Sequence, residues 1–418
     1  MTRYSALSII GKALRGNRTW SAAWRDPEPK KNYDVVIVGG GGHGLATAYY
    51  LAKVHGITNV AVLEKSYIGS GNTGRNTTIV RSNYERTANA HFYEFSLKLW
   101  EGLSVDLNYN TMFSPRGVVD VVQTEGGLEF ARRRGNSMRL HGIDAELLDA
   151  EQVRELLPGL CRDNEARYPI RGGLLQPRAG NARHDAVAWG FARAADSLGV
   201  DIIQDCEVTG FVRDGNRITG VETSKGTIGA GRVGLAVAGS TGQVAGLAGL
   251  KLPIESHLLQ AFVTEPVKPL IHTVATFEIE HFYISQSDRG SLVFGGRQDG
   301  YPSYKQRGNL PIVHEVLESA ASLFPMLSRL RLVRHWGGLT DMTPDGSPII
   351  GHSPIDGLFL NCGWGYTGFK ATPGSGWMFA HALAQGEPHD INRPFTLERF
   401  ESGDIISETG YAPLYGEQ

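Results

Sequence analysis

Asp34-Val-Val-Ile-Val-Gly-Gly-Gly-Gly-His-Gly44 decides the fold, and the reading runs on from it to Glu64. Residues 35–38 are an unbroken β-branched run, the pattern of a strand buried on both faces. Gly39, Gly41 and Gly44 follow in the spacing G-x-G-x-x-G. Residues 45–52 read as a helix and 59–63 as a second strand, with Glu64 at its end. Gly39 permits the tight turn, Gly41 lets the backbone approach a pyrophosphate, and Gly44 lets helix and strand pack closely. The helix N-terminus offers free N–H groups and a positive dipole end to phosphates, and Glu64 accepts hydrogen bonds from a ribose diol. A bare glycine motif says little. Strand, helix, strand and acid in register define a dinucleotide site in a Rossmann-like unit.

The residues after Glu64 select the dinucleotide. Lys65 and Ser66 lead into Ile68-Gly-Ser-Gly-Asn-Thr-Gly-Arg-Asn-Thr-Thr-Ile79, polar and glycine-rich where a nicotinamide fold would return to a βα unit. This stretch resembles the second contact loop of the FAD amine oxidoreductases, where backbone and hydroxyls line the flavin ring. Near the far end stands Asn361-Cys-Gly-Trp-Gly-Tyr-Thr-Gly-Phe-Lys-Ala-Thr-Pro-Gly374, fed by a strand at 358–360 and followed by a helix over 374–383. A helix N-terminus there points at the isoalloxazine pyrimidine, which gathers negative charge on reduction. FAD is the expected cofactor.

Composition bounds the rest. The chain has 418 residues, room for two intertwined domains. A net charge of −2 and a pI near 6.7 leave no basic surplus to replace phosphate counterions, so nucleic acid is excluded as a partner. Glycine, 53 residues, is about twice its usual share and falls between apolar strands, as a fold full of tight βα turns requires. Three cysteines without a C-x-x-C pair imply a reducing, cytoplasmic setting with no disulfide framework and no zinc. No run of eighteen apolar residues occurs, so no membrane span is expected.

Residues 1–33 differ in character. Arg3, Lys12, Arg15, Arg18 and Arg25 meet no acid before Asp26, and Leu7, Ile10 and Leu14 fall at helical spacing. The segment reads as a basic arm on a neighbouring subunit, anchored by Trp20 and Trp24 one helical turn apart and ended by Pro27-Glu-Pro29; a mitochondrial presequence and a partly ordered tail stay open. Helices are expected over 88–103, 128–140 (arginines outward), 149–157 with Asp149 as N-cap, 185–198 and 313–323. Residues 208–228 read as a meander leading into a separate buried strand at 232–241. Alternating apolar patterns in 254–335 predict an antiparallel sheet with one wet face. The expected class is mixed α/β. A discontinuous FAD-binding domain (34–84, 185–250, 340–385) is interleaved with a substrate domain (85–184, 251–339), followed by a C-terminal extension over 386–418.

The order of these elements, with Arg75-Asn-Thr-Thr-Ile79, Gln176-Pro-Arg178, Trp336-Gly-Gly338 and Cys362-Gly-Trp-Gly365, resembles the sarcosine oxidase and dimethylglycine dehydrogenase family. The likeness runs from about Trp24 onward and is greatest to the β-type subunits of its heterotetrameric members. The resemblance implies oxidation of sarcosine's N-methyl group, with the other subunits (α, γ and δ type) as partners and tetrahydrofolate bound elsewhere in the complex. The products implied are glycine, hydrogen peroxide and either formaldehyde or methylenetetrahydrofolate. It implies that His184, within Gln176-Pro-Arg-Ala-Gly-Asn-Ala-Arg-His184, carries a covalent FMN. Arg178 and Arg183, close in sequence, are candidates for the FMN phosphate, and the plain alternative is an exposed histidine ahead of a helix with Asp185 as its N-cap. Cofactor contacts fall on Gly39, Gly41, Gly42, His43, Gly44, Glu64, Lys65, Asn72, Thr73, Arg75, Thr77, Thr78, Ile79, Val208, Gly365, Gly368 and Lys370.

Arg81 and Lys370 are the candidates for holding a substrate carboxylate, matching such positions in the monomeric relatives. His43 is a candidate base, though its place in the glycine loop favours a backbone phosphate contact. Two departures matter. The monomeric relatives bind FAD through a cysteine shortly before a Thr-Pro-Asp, but Trp336-Gly-Gly-Leu-Thr-Asp-Met342 ahead of Thr343-Pro-Asp345 has none, so FAD is expected to be non-covalent. Val293 stands where those relatives place an oxygen-activating lysine. Electrons then need another exit, which FMN supplies. The competing readings are a D-amino-acid or proline dehydrogenase, which shares every FAD signature, and a flavin-holding assembly subunit without catalysis.

Overall fold

The computed structural model describes residues 5–20, 22–162 and 167–408. Arg3 of the basic arm, and 409–418 of the C-terminal extension, lie outside the described residues. In chain order, α1 (Ala6–Leu14) precedes β1 (Asn32–Val38), α2 (Gly42–His55), β2 (Val60–Leu63), β3 (Ile79–Val80) and α3 (Thr87–Asp106). Then come β4 (Val118–Val122), α4 (Glu125–Leu140), β5 (Glu146–Asp149), α5 (Ala150–Leu156), β6 (Gly172–Gln176) and β7 (Gly180–Asn181). Next are α6 (His184–Ser197), β8 (Asp201–Ile203), β9 (Val208–Asp214), β10 (Arg217–Thr223), β11 (Gly226–Leu235) and α7 (Thr241–Leu247). The chain continues through β12 (Glu255–Pro266), β13 (Val274–Phe277), β14 (Phe282–Gln286), β15 (Ser291–Gln298) and α8 (Leu310–Leu323). It closes with β16 (Leu332–Met342), β17 (Ile349–His352), β18 (Leu358–Cys362), α9 (Gly368–Gln385) and α10 (Arg399–Ser402).

The first sheet runs β17-β18-β11-β1-β2-β8, parallel except at β17. Its central segments, Val35 to Val38 and β2, are apolar and buried because both faces are covered. Val35 and Ile37 face the core under α2, α6 and α9, while Val36 and Val38 face a second cluster with Ile203, Val233 and Leu360. The expected turn at 226–228 and the buried strand after it are one strand, β11. Its first half completes the meander with β10 and its second half pairs with β1, so one strand serves two layers.

The second sheet runs β16-β12-β15-β14-β13-β4-β6-β5. It is antiparallel except where β13 runs parallel to β4, Ala275 opposite Val119. One face packs Phe262, Ile284 and Phe294 against Ile312, Val316 and Ala320 of α8. The opposite face was expected to be wet. Instead its polar side chains turn toward the loops of the first sheet: Gln176 bonds Ser82, Asp120 bonds Asn83, and Gln298 bonds Tyr366. A half-polar sheet reads the same whether water or another polar surface covers it.

Local signals held where a side chain closes a helix. Asp149 caps α5 in a reciprocal box with Gln152, and Thr124 caps α4. Arg134 of α4 departs from the outward-facing reading by turning into the protein. The N-terminal segment departs too. α1 has no buried residue and ends at Leu14, so Trp20 and Trp24 share no helix. Trp20 is exposed beneath Lys12, whereas Trp24 packs on the core and Arg25 pairs with Asp196 of the same chain at 2.8 Å. The cysteines, Cys161, Cys206 and Cys362, are buried. Among the described residues no helix is long and apolar enough to cross a membrane.

Candidate active site

Two helices begin at the site, and neither has a side-chain cap. α2 starts behind Gly41 and α9 behind Thr367. Thr73 Oγ1 takes Gly42 N of α2, and the other N–H groups of the two first turns suit an anionic ligand. Gly39 takes φ +114°, and a Cβ there would overlap the Ala236 carbonyl; a Cβ on Gly44 would overlap the Gly39 carbonyl. Glu64, at the end of β2, accepts from Gly40 N at 2.9 Å and Ser66 N at 3.0 Å, which fixes its carboxylate beside the glycine turn. Val208 opens β9 next to this corner, where Cys206 N donates to the Glu64 carbonyl. Lys65 points to solvent.

The loop after β2 is tied down by its own polar side chains. Thr73 Oγ1 accepts from Gly42 N at 3.0 Å at the mouth of α2. Asn72 pairs with the backbone of Leu339 in β16, donating to its carbonyl and accepting from its N–H at 3.0 Å. Arg75 turns back onto the Ser70 and Gly71 carbonyls, and Trp336 Nε1 donates to the Arg75 carbonyl at 2.8 Å. Thr78, at φ +70°, accepts through its carbonyl from Ala182 N at 3.1 Å, and Ile79 pairs with Asn181 in β3–β7. Thr77 lies beside Tyr283.

His43 is no base here. Its Nε2 faces the Gly368 carbonyl at 2.8 Å, so that nitrogen carries the proton, and Nδ1 meets Ser375 Oγ at 2.6 Å. Burial lowers its pKa to about 4, partly opposed by that carbonyl. The ring packs 4.7 Å from Trp364 and bolts α2 to α9.

α9 begins at Gly368, six residues earlier than expected, and runs through Pro373. Lys370 thus stands in its first turn. Gly365 shapes the approach at φ +47°, donating from its N–H to the Asp341 carbonyl at 2.8 Å. Lys370 is buried, with Nζ donating to the Tyr366 carbonyl at 3.0 Å. Burial first and the Arg81 guanidinium second push its ammonium well below the usual lysine value, while Asp120 opposes them. Arg81 is buried, donates to Asn83 Oδ1 and packs 5.1 Å from the ring of Tyr84, which stacks on Tyr93 at 4.0 Å. The two cations proposed from sequence share one buried region. Several neighbours went unnoticed in sequence. Tyr366 donates to Gln298 Oε1 at 2.5 Å, and burial pushes the Tyr283 phenol up to about 12. Tyr366 lies inside the glycine-rich segment near the C-terminus, and Asp120 is the one acid within Val-Val-Asp-Val-Val, so a signal existed for both.

His184 is the first residue of α6, half-buried, on a helix that meets the Gly69 turn through Ala188. Burial lowers its pKa; Asp185 opposes this and Arg183 adds to it. Asp185 is not the helix cap, since the cap position is Arg183, and Asp185 binds that guanidinium at 2.8 and 3.0 Å. Arg178 is committed to Glu101 at 2.7 Å and Glu94 at 2.8 Å. Neither arginine is held in reserve for a phosphate.

Two helix starts without an N-cap side chain, a glycine turn without room for a Cβ at Gly39 and Gly44, and a fixed acid at the end of β2 suit a flavin-dinucleotide enzyme. Residues 34–382 match the family model "FAD dependent oxidoreductase". The chain is 62% identical over 408 residues to "Sarcosine oxidase subunit beta" of Rhizobium meliloti (strain 1021), covering 98% of each, and 53% identical to that of Arthrobacter sp., covering 94% of this chain and 96% of the relative. L-proline dehydrogenase from P. horikoshii superposes with a TM-score of 0.84 at 27% identity, over 91% of this chain and all of that one. The chain belongs to the FAD-dependent oxidoreductase family, in the group of the sarcosine oxidase β subunits.

Proposed function

We propose that this chain is the flavin-bearing β subunit of a hetero-oligomeric sarcosine oxidase, oxidising the N-methyl carbon of sarcosine at a non-covalently held FAD. The observation that supports it most is the meeting of Arg81 and Lys370 in one buried region at the start of α9. FAD, when bound, supplies the two-electron acceptor, and FMN on His184 the exit to oxygen. The protein's own part is to bind, orient and exclude water. Arg81 and Lys370 hold the carboxylate by charge-assisted bonds, which leaves the amine and its methyl group as the part free to reach the reacting ring. The tyrosines at 84, 93, 283 and 366 wall this region and keep water from it. His43 takes no proton, so the amine must arrive in, or lose its proton to reach, the neutral form without it. In the net reaction sarcosine, oxygen and water give glycine, formaldehyde and hydrogen peroxide; with tetrahydrofolate bound elsewhere in the complex, methylenetetrahydrofolate replaces formaldehyde.

At His184 the half-buried imidazole suits attachment through a neutral nitrogen, but the FMN phosphate must find partners other than Arg178 and Arg183 or displace their carboxylates. The likeness to L-proline dehydrogenase keeps a cyclic secondary amino acid as the second reading. Convergent buried cations speak against a non-catalytic assembly role. Anaerobic mixing of the purified FAD-loaded complex with sarcosine or with L-proline separates the readings. Rapid loss of FAD absorbance with sarcosine supports the proposal; loss with proline alone rejects it.

A further inference from the structure

Asp120 sits at the centre of β4, the one charged residue of a valine strand, and both oxygens of its carboxylate are engaged. Oδ2 accepts from Asn83 Nδ2 at 2.8 Å and from Arg134 Nη1 at 2.9 Å, and Oδ1 accepts from Thr276 Oγ1 on the neighbouring strand. Asn83 is wholly buried, and its Oδ1 accepts from Arg81. A carboxylate can only accept and a guanidinium can only donate. The Asn83 amide therefore has one workable orientation, nitrogen toward Asp120 and oxygen toward Arg81. Arg134 secures the same residue from the other side, donating through Nε to the Asn83 carbonyl at 2.7 Å. Its side chain and that of Asp120 are only 7% and 17% exposed. The second sheet thus reaches Arg81 through a buried amide.

We propose that Asp120 is a positioning residue of the substrate site: through the Asn83 amide it aims the Arg81 guanidinium into the region shared with Lys370. The inference rests on the reading that Arg81 and Lys370 hold a carboxylate. Asp120 supplies the negative charge that lets two cations stand together in a buried place, and it touches neither substrate nor flavin. A purely structural Asp120 would neutralise Arg134 and brace the sheet without changing how tightly Arg81 holds a carboxylate.

The experiment uses the FAD-loaded complex and acetate, a carboxylate without an amine, with binding read from the change in the flavin absorption spectrum. Asp120→Asn should weaken acetate about tenfold, the effect of losing one well-placed hydrogen bond, and raise the KM for sarcosine more than it lowers kcat. The double variant Asp120→Asn/Asn83→Asp moves the acceptor next to Arg81 and should recover most of the affinity. If Asp120→Asn does not fold, Asn83→Ala, which leaves the Asp120–Arg134 pair in place, must show the same loss. Unchanged acetate affinity in Asn83→Ala, or no recovery in the double variant, overturns the inference. Arg81→Met and Lys370→Met distinguish the two levels of failure. If they too leave acetate binding unchanged, the carboxylate reading itself falls; if they weaken it while Asp120→Asn does not, only the relay falls.

Discussion

Lys370 is a cation whose charge the fold resists. Burial and Arg81 both favour its neutral form, and only Asp120 among the groups acting on it opposes them. A bound carboxylate reverses that balance and draws a proton onto Nζ. Ligand binding therefore raises the lysine pKa from its lowered value, so affinity is highest below the free value and falls as pH rises through it. Acetate titrations across pH should show this decline in the wild-type complex and a flatter profile in Lys370→Met; parallel profiles would remove the lysine from the site. Glu64 offers a second test at this scale. Its carboxylate already accepts from Gly40 and Ser66, so Glu64→Gln replaces a charged ribose acceptor with a neutral one and should weaken FAD by about 1–2 kcal/mol. Dialysis that leaves FAD retention unchanged would refute it. Both residues were legible in sequence because each stands in a motif with a mechanism. Asp120 stands out in sequence as the one acid of a valine strand, but its partnership with Asn83 does not, because it exists only once two distant segments meet across the sheets.

The pairing of α2 with α9 turns on His43. Its imidazole is neutral in the fold, with a pKa near 4 against about 6.5 in an unfolded chain. Below pH 6.5 the unfolded chain takes up the proton first, so stability is lost as pH falls toward the folded value, by about 2–3 kcal/mol at pH 4.5. The fall in urea midpoint between pH 7 and pH 4.5 should be smaller in His43→Gln, whose amide can still donate to the Gly368 carbonyl; the same fall in variant and wild type contradicts this. Sequence placed His43 in a phosphate loop and saw a backbone contact or a base. The cross-helix role depends on Gly368 and Ser375, more than three hundred residues away. The start of α9 was misjudged for a related reason: Pro373 and the surrounding glycines read as loop, yet α9 continues through them. Periodicity read the buried strands well, since Val35–Val38 needs only apolar neighbours on both sides, but it could not tell a wet face from one buried against polar loops.

The whole molecule brings two sheets together so that the polar face of one closes over the helix starts of the other. The first sheet carries Glu64 and the glycine turn, while from the second Asp120 reaches Arg81 through Asn83 and Gln298 bonds Tyr366, whose carbonyl accepts from Lys370. His184 lies on α6, against α2 and the Gly69 turn. Its replacement by Ala should leave FAD bound and reducible by sarcosine, remove protein-bound FMN from the acid precipitate and abolish most oxygen turnover; a native peptide containing His184 without flavin mass would contradict that assignment. The most direct test of the account is the rate of anaerobic FAD reduction by sarcosine in wild type, Arg81→Met and Lys370→Met. Loss of one charge-assisted bond predicts a rise in apparent KM and a fall in reduction efficiency worth about 2–3 kcal/mol in each variant. Wild-type reduction rates and affinity in both variants would show that the buried cations do not hold the substrate.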